Sequence, residues 1–572
     1  MRRVVWIVLL SLMGCGGGEV PSLPPVDEEP WLRLTVDRDE VPVGEGVNLR
    51  WESWGVTDCR AEGAWAGERA PAGGEFSGPL SQDARFALSC RDGEGNVLRA
   101  EVTVVVRPSL SVGVGVIGGR VDGYWVTGSQ PLRMRVFAAE DDSGAPLAEV
   151  PVTMDEPCRY GYRFEGLSPG RYHLELWRGD KRRWQGEVTL GGEGVDFPVP
   201  PPRVVRVGPG GEFDTPAEAA RAVEGGTVVE IAAGRYVDDI AVWRQSGLVL
   251  RAVGGTVELE AASPIEYRLG EDGANGKAIW VIAGEDVRVE GIRFRGAHLP
   301  DGGNAAGIRL EPSARRVSVC GSEFVDNENG LMGSANDLRI EFSRFVGNGA
   351  GDGRTHNLYL VEGSDSVVVY ASAAVGARIG HQIKSRARRT ELWYSILADG
   401  AEGSSSYALD VPDGGEVLVV GSLLQKGPQA DNPVLLAFGA EGLANDGRRH
   451  RLILVHNTLV NRNAFGGEAF FAVAGGIEAM RLFNNLFLGP ARRFFGEGVP
   501  VDEGGNLMAS DQDVVDAPGG DYRPVPGGRA VDAAVVLPAD LPQPAWQPVG
   551  EAVVVPRVMK GPAWDVGAYE VP

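Results

Sequence analysis

The stretch Arg316-Val-Ser-Val-Cys-Gly-Ser-Glu-Phe324 is followed by a second stretch of the same pattern, Asp337-Leu-Arg-Ile-Glu-Phe-Ser-Arg-Phe345. In both, two apolar residues flank a variable one, and two spacers, a Ser, a variable residue and an apolar residue follow. Apolar residues at alternate positions are typical of a β-strand with one buried face. A strand pattern that repeats after so short an interval predicts stacked copies of one structural unit.

The pattern occurs eight times, with Ser or Asn usual at the polar position. Successive copies lie between 21 and 35 residues apart, which predicts a solenoid with one coil per copy and the extra length in loops. We expect the Ser/Asn column to form an internal polar ladder from coil to coil. The sequence therefore predicts an all-β, parallel β-helix, in which the copies end at Phe294, Phe324, Phe345, Ala374, Leu397, Leu424, Leu459 and Phe487.

This region, residues 203–490, resembles the right-handed parallel β-helix of the pectin-lyase-like superfamily. A helix start precedes it: Thr215 has the character of an N-cap, Pro216 of a first helical residue and Glu218 of the partner in a capping box. Such a helix would cover the open end of the solenoid. After Pro490 the pattern lapses, and residues 491–572 resemble the closing segment of secreted β-helix proteins.

Two β-rich modules come before the repeats. Residues 31–107 contain short alternating strands and resemble an immunoglobulin-like sandwich, although Trp51 precedes Cys59 rather than following it. Residues 108–202 include a strand, a Ser168-Pro169-Gly170 turn and a second alternating strand, and resemble a transthyretin-like or carboxypeptidase-regulatory-like sandwich. We expect both modules to act as spacers.

The first thirty residues have the character of a processing signal and a tether. Arg2 and Arg3 precede an apolar stretch too short to span a membrane, so residues 1–14 are predicted to be a signal peptide. Leu12-Met-Gly-Cys15 resembles a bacterial lipobox, which implies cleavage before Cys15 and lipidation of its thiol. Residues 15–30 then form a flexible tether. The resemblance implies a lipid-anchored envelope protein, in the outer membrane by the usual sorting rule. The alternative is an ordinary secretory signal with a chance Cys.

Composition limits the partners and the redox state. The chain has 572 residues and a formal net charge of -23, and an acidic chain of this kind is a poor nucleic-acid binder. Of its five cysteines, Cys59 and Cys90 fall in one small module of a protein expected in an oxidising compartment, so they are predicted to form a disulfide. Cys158 and Cys320 lie in different predicted domains, and we expect each to be a buried thiol. We expect a monomer.

One cationic stretch stands out in this acidic chain: Arg378-Ile-Gly-His-Gln-Ile-Lys-Ser-Arg-Ala-Arg-Arg389. It contains the first strand of a coil, and alternation predicts which side chains of three such neighbouring strands face outward. Parallel coils sit about 4.8 Å apart, so outward residues at one height touch and form a row. The row is predicted to be Tyr359, Lys384 and Asp410, with His356 and His381 at the turn that leads into it. The outward set as a whole is Asn357, Tyr359, Gln382, Lys384, Arg386, Ala408 and Asp410.

These residue types fit an anionic ligand such as a uronate-containing polysaccharide. Several β-helix polysaccharide lyases use a Lys and an Arg on this face, and the resemblance implies β-elimination. Arg378 or Arg386 would neutralise the carboxylate, Lys384 would be the base, and Tyr359 or His381 the acid. Asp410 beside Lys384 argues against that base, since it favours the ammonium form. The catalytic hypothesis also includes His356 and Asp410, and the substrate-binding hypothesis names Arg378, Asn357, Gln382 and Arg388.

Three alternatives stay open at this point. The protein is a non-catalytic adhesin or scaffold that binds glycan or an envelope protein, or the cationic stretch is a solvated turn paired with acidic neighbours. A glycoside hydrolase with paired carboxylates is the third, although nothing fixes the pair. No cofactor is indicated by a motif. Calcium is the one metal considered, with oxygen ligands offered by Asp352, Glu402, Asp410 and Asp413.

Overall fold

The computed structural model describes residues 30–42, 46–77, 80, 83–107, 116–126, 131–139, 145–191, 194–265, 276–300, 303–463, 469–492 and 498–571. These form two compact units, one ending at Arg107 and one beginning at Pro108. Cys15 and the predicted signal peptide lie outside the described residues. None of the helices in the described part is long and apolar enough to cross a membrane.

The first unit is a small β-sandwich. A three-stranded sheet is formed by Trp31–Val36, Asn48–Trp54 and Gly73–Phe76. The other sheet has five strands, Glu40–Pro42, Val97–Arg107, Ala84–Asp92, Val56–Gly63 and Gly67–Arg69. The predicted Cys59–Cys90 disulfide is confirmed. It joins neighbouring strands of one sheet and not the two sheets, so it differs from the inter-sheet bridge of antibody domains.

The second sandwich belongs to the same unit as the β-helix. One sheet contains Ala148–Pro151, Leu132–Ala138, Gly170–Arg178 and Lys181–Leu190, and the other contains Thr153–Glu156, Arg159–Phe164, Ile117–Val121 and Val195–Asp196. A short 3-10 helix, Gly123–Trp125, follows the strand Ile117–Val121. The two sheets enclose a core that includes Met134, Phe164 and Leu174.

The β-helix is right-handed, and each coil contributes one strand to each of three parallel sheets. The first sheet consists of Ala241–Trp243, Ala278–Ile282, Ala306–Leu310, Asn329–Gly333, Leu358–Leu360, Ile383–Ser385, Leu409–Val411, Val434–Phe438 and Ala469–Val473. The second consists of Val287–Glu290, Arg316–Cys320, Asp337–Glu341, Ser366–Tyr370, Arg389–Trp393, Glu416–Val420, Arg451–Val455, Ala479–Phe483 and Val501–Gly504. The third consists of Ile292–Arg295, Glu323–Val325, Arg344–Val346, Ala373–Val375, Ile396–Ala398, Leu423–Lys426, Thr458–Asn461, Leu486–Leu488 and Leu507–Ala509.

The strand register confirms the repeat. The final apolar residues of all eight copies pair in one unbroken column, from Phe294 to Phe487, and Met508 extends the column by one more coil. The β-helix therefore reaches Ala509, beyond the predicted boundary at Pro490. Its interior is apolar along its length, with aromatic rings stacked where Phe324 lies between Phe294 (5.1 Å) and Phe345 (4.5 Å).

The Ser/Asn column forms the expected ladder. The backbone N–H of Ser343 donates to Ser372 Oγ (3.1 Å), that of Ser372 to Ser395 Oγ (3.1 Å), and the pattern continues to Asn506. Each side chain satisfies a backbone donor at a corner where the chain leaves one sheet and enters the next. Buried donors without partners are costly, so the column stabilises the corner between the second and third sheets.

The amino-terminal end of the β-helix is covered, whereas Met508 in its last coil is 44% exposed. The helix Pro216–Ala222 begins as the sequence predicts, since Thr215 Oγ1 accepts the Glu218 N–H (3.3 Å). It packs Ala219 and Ala220 into the core beside the first long strands, Val204–Val207, Val228–Val237 and Val249–Glu260. At the other end come a 3-10 helix, Asp511–Asp513, and two hairpins, Val514–Asp516 with Asp521–Pro524 and Trp546–Gly550 with Val553–Pro556.

The C-terminal segment lies back along the third sheet. Tyr569 joins an apolar cluster with Leu423, Val460 and Leu486, and the Ala568 N–H donates to Thr458 Oγ1 (3.0 Å). The segment thus ties several coils together.

The second sandwich covers the outward face of the second sheet. The prediction of separate thiols at Cys158 and Cys320 is wrong, because they form a disulfide between the sandwich and the β-helix. Cys320 alternates with Val319, so it points out of the solenoid and towards the module that covers it. Tyr160 OH donates to Glu341 Oε2 (3.0 Å) in the same contact. A cavity of about 420 Å³ remains there, lined in part by Tyr160, Arg288 and Arg339.

Candidate functional site

The predicted row is present on the first sheet. Tyr359 is aligned with Lys384, and Lys384 with Asp410, in three consecutive parallel strands. Their neighbours in sequence, including Leu358, Ile383 and Leu409, are buried in the solenoid core. Strict alternation along these short strands therefore brings an aromatic, a cation and a carboxylate together on the outer face.

Lys384 is held between two carboxylates. Its Nζ lies 3.4 Å from Asp410 Oδ2 and 2.9 Å from Glu441 Oε1, and 5.8 Å from the centre of the Tyr359 ring. Burial alone would lower the pKa of Lys384, but the hydrogen bond to Glu441 and the charge of Asp410 outweigh it, so the pKa is raised. Lys384 is therefore an ammonium at neutral pH, which argues against its predicted role as a base.

Asp410 is the most deeply placed member of the row. Its side chain is 4% exposed, and Oδ2 is 3.3 Å from His381 Nε2 as well as near Lys384. Oδ1 is buried and has no hydrogen-bond partner. Burial raises the pKa of Asp410 to about 6 despite the neighbouring cation. A carboxyl group with a pKa near neutrality is suited to proton transfer.

Arg386 completes the cationic pair. Its guanidinium contacts Asp413 Oδ1 and Glu441 Oε2, and Nε donates to the Tyr359 hydroxyl (3.4 Å). Burial opposes the charge, but the carboxylates and Tyr359 raise the pKa of Arg386 above its ordinary value. Lys384 and Arg386 are only 12% and 11% exposed, so both are lodged in the site and neither is a free surface cation.

Glu441 is the residue that sequence reasoning missed. It stands in the loop 439–450, two strands further along the first sheet than Lys384, and its carboxylate accepts from Lys384 with Oε1 and from Arg386 with Oε2. The signal for it was the repeat interval between Leu424 and Leu459, the longest of the series, which predicts an extra loop without saying where the loop lies.

His356 and His381 are structural. They belong to a column of side chains on successive coils, each of which accepts a backbone N–H of the next coil. The His356 N–H donates to Asn329 Oδ1 (2.9 Å), the His381 N–H to His356 Nδ1 (3.0 Å), and the Tyr407 N–H to His381 Nδ1 (3.2 Å). The two imidazoles stack at 4.6 Å. Because Nδ1 accepts in both rings, Nε2 carries the proton of the neutral form.

Burial sets the protonation state of both histidines. It lowers the pKa of His356 to about 3, with the charges of Lys384 and Arg386 adding to the effect, and it lowers that of His381 well below its usual value, with His356 and Lys384 adding. In this neutral form His381 Nε2–H lies 3.3 Å from Asp410 Oδ2. The predicted use of His381 as an acid, and of His356 beside it, finds no support in this arrangement.

The predicted outward placement of Asn357, Gln382 and Ala408 is wrong. All three are buried, and Asn357 and Gln382 belong to a second internal ladder. Asn348 Nδ2 donates to Asn357 Oδ1 (2.7 Å), Asn357 Nδ2 to Gln382 Oε1 (2.6 Å), and Gln382 Nε2 to Asp399 Oδ1 (2.9 Å). These residues hold the corner that precedes each first-sheet strand and cannot contact a ligand.

The remaining cations of the stretch are paired at its edges. Arg378 contacts Asp326, Arg388 contacts Asp446 (2.9 Å), and Arg389 contacts Glu391. No contact in the described part of the structure links Arg378 or Arg388 to the Tyr359–Lys384–Asp410 row. Ion pairing with acidic neighbours therefore accounts for most of the cationic stretch.

The described residues form no metal site, whereas two carboxylates, those of Asp410 and Glu441, do meet at Lys384. Across the described residues, no group of three or more His, Cys, Asp or Glu side chains is arranged to hold a metal ion. Of the four acids considered for calcium, Asp352 instead accepts from the Thr355 hydroxyl (2.8 Å), and Asp413 is paired with Arg386.

Lys426 is a second buried titratable group close by. Its side chain is fully buried, and Nζ donates to the Ser405 carbonyl (3.4 Å). Burial lowers the pKa of Lys426 to about 8, against the opposing charges of Asp399 and Asp431. It braces the turn before Leu409–Val411.

No protein-family model matches the sequence, and neither does any curated protein. Among solved structures, the pectin methylesterase from Aspergillus niger is similar, at 12% identity over 59% of this chain and 93% of its own, with a TM-score of 0.28. The pectin methylesterase PemA from Erwinia chrysanthemi has 12% identity over 57% and 99%, with a TM-score of 0.28. The PL6 family alginate lyase AlyGC has 14% identity over 52% and 47%, with a TM-score of 0.29. These values carry no argument about activity; the chain is a right-handed parallel β-helix preceded by two small β-sandwiches.

Proposed function

We propose that the protein binds an acidic, uronate-containing polysaccharide at Tyr359, Lys384 and Arg386. One observation carries the proposal: a single carboxylate, that of Glu441, is held by the Lys384 ammonium and the Arg386 guanidinium together. Two cations at this spacing are matched to a carboxylate group, and charge-assisted bonds of this kind are strong and directional. A uronate presents the same group.

The surroundings suit a sugar. The Tyr359 ring lies beside both cations and offers an aromatic face to a pyranose ring. The first sheet extends over nine parallel strands about 4.8 Å apart, so an extended polymer can lie along it. The net charge of -23 disfavours long polyanions that are held by charge alone, nucleic acids included, and favours a ligand recognised in one local site.

Binding without cleavage is the function that the site supports best. Lys384 is an ammonium and both histidines are engaged in the ladder, so the base first assigned for β-elimination is absent. A catalytic alternative assigns the C5 proton to Asp410, whose pKa is about 6, and requires a rearrangement that exposes this buried carboxylate. As the C5 proton passes to Asp410, its bonding electrons form a C4–C5 double bond and the C4–O glycosidic bond breaks. The leaving oxygen takes a proton from the Tyr359 hydroxyl, and an unsaturated uronate remains.

The whole chain, incubated with polygalacturonate, alginate and neutral dextran, tests both functions. We expect retention of the two uronate polymers, weakening as salt rises because partly exposed charges are screened over about 10 Å. Arg386→Gln should abolish retention, whereas Arg451→Gln, which removes an arginine paired with Glu478 (3.3 Å) elsewhere on the β-helix, should not. Equal retention of dextran, or an unaffected Arg386→Gln variant, would refute the proposal. A rise in absorbance from an unsaturated product would select the catalytic form.

The lipid anchor is part of the proposed function. We infer from the lipobox-like Leu12-Met-Gly-Cys15 that Cys15 is lipidated and that the tether 15–30 holds the β-helix at the cell envelope, on the outer membrane. An anchored protein that binds a polymer would retain that polymer, or an envelope partner, at the surface.

A further inference from the structure

The loop 439–450 is far longer than its equivalents. It connects Val434–Phe438 to Arg451–Val455, while the corresponding connections in the two preceding coils are residues 412–415 and 386–388. Its extra length runs back over the strand Leu409–Val411 to reach Lys384 and Arg386. The loop leaves the first sheet at Gly439, which has a φ of 73°. A β-carbon at this position would lie 2.7 Å from the Leu443 side chain.

The backbone of this loop is fixed independently of Glu441's side chain. The Glu441 N–H donates to the Pro412 carbonyl (3.2 Å), the Ala444 N–H to the Asp413 carbonyl (3.0 Å), and Leu443 packs against the solenoid core. Arg448 Nη1 adds a bond to the Arg386 carbonyl (3.2 Å). The Glu441 side chain can therefore leave the two cations by rotation about its own bonds while the loop stays in place.

The exposed fractions of the three side chains indicate which member of the Glu441–Lys384–Arg386 contact can move. The Glu441 side chain is 50% exposed, whereas Lys384 and Arg386 are 12% and 11% exposed. Moving a half-exposed carboxylate fully into water costs little, because it is already hydrated on one side. The cations stay, held by Asp410 and Asp413 from beneath.

We propose that Glu441 is an internal competitor that occupies the position of the ligand carboxylate, and that a uronate displaces it from Lys384 and Arg386. This inference rests on the proposed function and adds its regulation. With Glu441 seated, four carboxylates face the two cations, those of Asp410, Asp413, Glu441 and the exposed Glu362 (3.5 Å from Arg386), so the site repels a free anion. When Glu441 turns away, one ligand carboxylate can take its place and restore the seated arrangement. The affinity of the site for a uronate is thereby set by Glu441, a side chain outside the Tyr359–Lys384–Asp410 row.

Glu441→Gln in the whole chain tests this, with Glu478→Gln as the matched control. Glu478 also bridges two arginines, Arg449 (2.9 Å) and Arg451 (3.3 Å), but outside the site. Calorimetric titration with oligogalacturonate should show about threefold to tenfold tighter binding for Glu441→Gln, since removing a competing charge is worth up to about one factor of ten. Glu478→Gln should bind as the unaltered protein does.

A second measurement does not need the ligand. The sequence has five lysines, so reductive methylation with ¹³C-formaldehyde resolves each by NMR. The pKa of Lys384 should fall in Glu441→Gln, because its hydrogen-bonded carboxylate is lost, and should not change in Glu478→Gln. If Glu441→Gln melts below the assay temperature, Glu441→Asp replaces it, since the shorter carboxylate keeps its charge but cannot span both cations.

The outcomes separate the two proposals. If the unaltered protein binds oligogalacturonate and Glu441→Gln binds it equally well or more weakly, the competitor role is overturned and the proposed function stands. No binding by any variant overturns both. Binding that appears or strengthens only in Glu441→Gln supports both.

Discussion

At the scale of the residue, Lys384 has two partners with different exposure. Glu441 lies towards solvent, and Asp410 lies beneath it with 4% of its side chain exposed. A buried carboxylate that loses its cation is costly, whereas a surface pair contributes little. Loss of Lys384 should therefore cost stability mainly through Asp410 and little through Glu441.

Lys384→Met should lower the free energy of unfolding at pH 7 by about 1–3 kcal/mol, because Asp410 is left buried without its cation. Denaturant unfolding followed by tryptophan fluorescence measures the change. Asp410→Asn in the Lys384→Met background should recover most of the loss. A Lys384→Met variant as stable as the unaltered protein would mean that the pair is not structural.

The histidine column predicts a dependence on pH. Since burial depresses the pKa of His356 to about 3, its neutral form stabilises the fold fully above the unfolded value of about 6.5, and this stability is lost as the pH falls below that value. Asp410 acts in the opposite sense, because its pKa of about 6 is raised, so its ionisation costs stability as the pH rises towards 6.

His356→Asn isolates the histidine contribution. Asn329 occupies the same place one coil earlier and accepts the same backbone bond, so Asn should preserve the ladder. We expect a melting temperature near that of the unaltered protein at pH 7 and a smaller fall between pH 7 and pH 4.5. An unchanged acid-induced fall would show that His356 does not bind the proton on unfolding.

Alternation located Tyr359, Lys384 and Asp410 from sequence alone, since they lie within strands. It failed for Asn357 and Gln382 because the strands begin only at Leu358 and Ile383. The two amides stand at the preceding corner, where the chain turns and period two no longer applies. Their inward orientation follows from backbone donors at the corner, which a strand pattern does not encode.

At the scale of the element, the unit of stability is the ladder that runs through successive coils. Asn457 shows its construction: Oδ1 accepts from the Ser422 N–H (2.9 Å), and Nδ2 donates to the Val419 carbonyl (2.9 Å) and to Asn485 Oδ1 (3.0 Å). One side chain thus satisfies groups in the coil before it and in the coil after it, and so links three coils.

Asn457→Ala should destabilise the β-helix by about 1–3 kcal/mol, because it leaves buried polar groups without partners. Asn457→Ser should cost less, as Ser422 accepts the equivalent N–H in the preceding coil (3.0 Å). Hydrogen exchange of the Ser422 amide provides the local readout. An equal fall in the free energy of unfolding in both variants would show that the column stabilises the β-helix by packing and not by hydrogen bonding.

The repeat predicted this ladder and the register of the eight copies from Phe294 to Phe487, because both depend on residues that recur in sequence. It did not predict the loop 439–450, whose Glu441 reaches Lys384 across an intervening strand. Contacts between a loop and an earlier coil depend on the loop's path, which no periodic pattern records. The same limit hid the pairing of Cys158 with Cys320.

At the scale of the molecule, that disulfide joins the second sandwich to the β-helix. An ion pair and a hydrogen bond accompany it: Arg251 Nη1 lies 3.0 Å from Asp122 Oδ2, and Tyr160 OH donates to Glu341 Oε2 (3.0 Å). The sandwich is thereby a lateral cover of the second sheet.

Replacing both Cys158 and Cys320 by Ser should weaken the association of the second sandwich with the β-helix by about 2–4 kcal/mol. Scanning calorimetry should then show the sandwich melting before the β-helix. Replacing both Cys59 and Cys90 by Ser should instead affect the transition of the first unit alone. Coincident melting after loss of the Cys158–Cys320 bond would mean that the noncovalent contacts suffice.

The anchor is tested separately from the fold. Cys15→Ser should move the protein from the membrane fraction to the soluble fraction, because lipidation requires that thiol. Fractionation and immunoblotting measure the shift, and the unaltered protein serves as the control. Unchanged partition would refute the lipobox interpretation.

The two disulfides also have a consequence for biogenesis. Four cysteines can pair in three ways, and here each bonds to the next one along the chain, Cys59 to Cys90 and Cys158 to Cys320. A polypeptide that emerges amino end first can close the first bridge before Cys158 appears, and acylation of Cys15 would remove the remaining thiol from competition. Oxidation in order of synthesis then yields the native set, so maturation should require an oxidant but no disulfide isomerase.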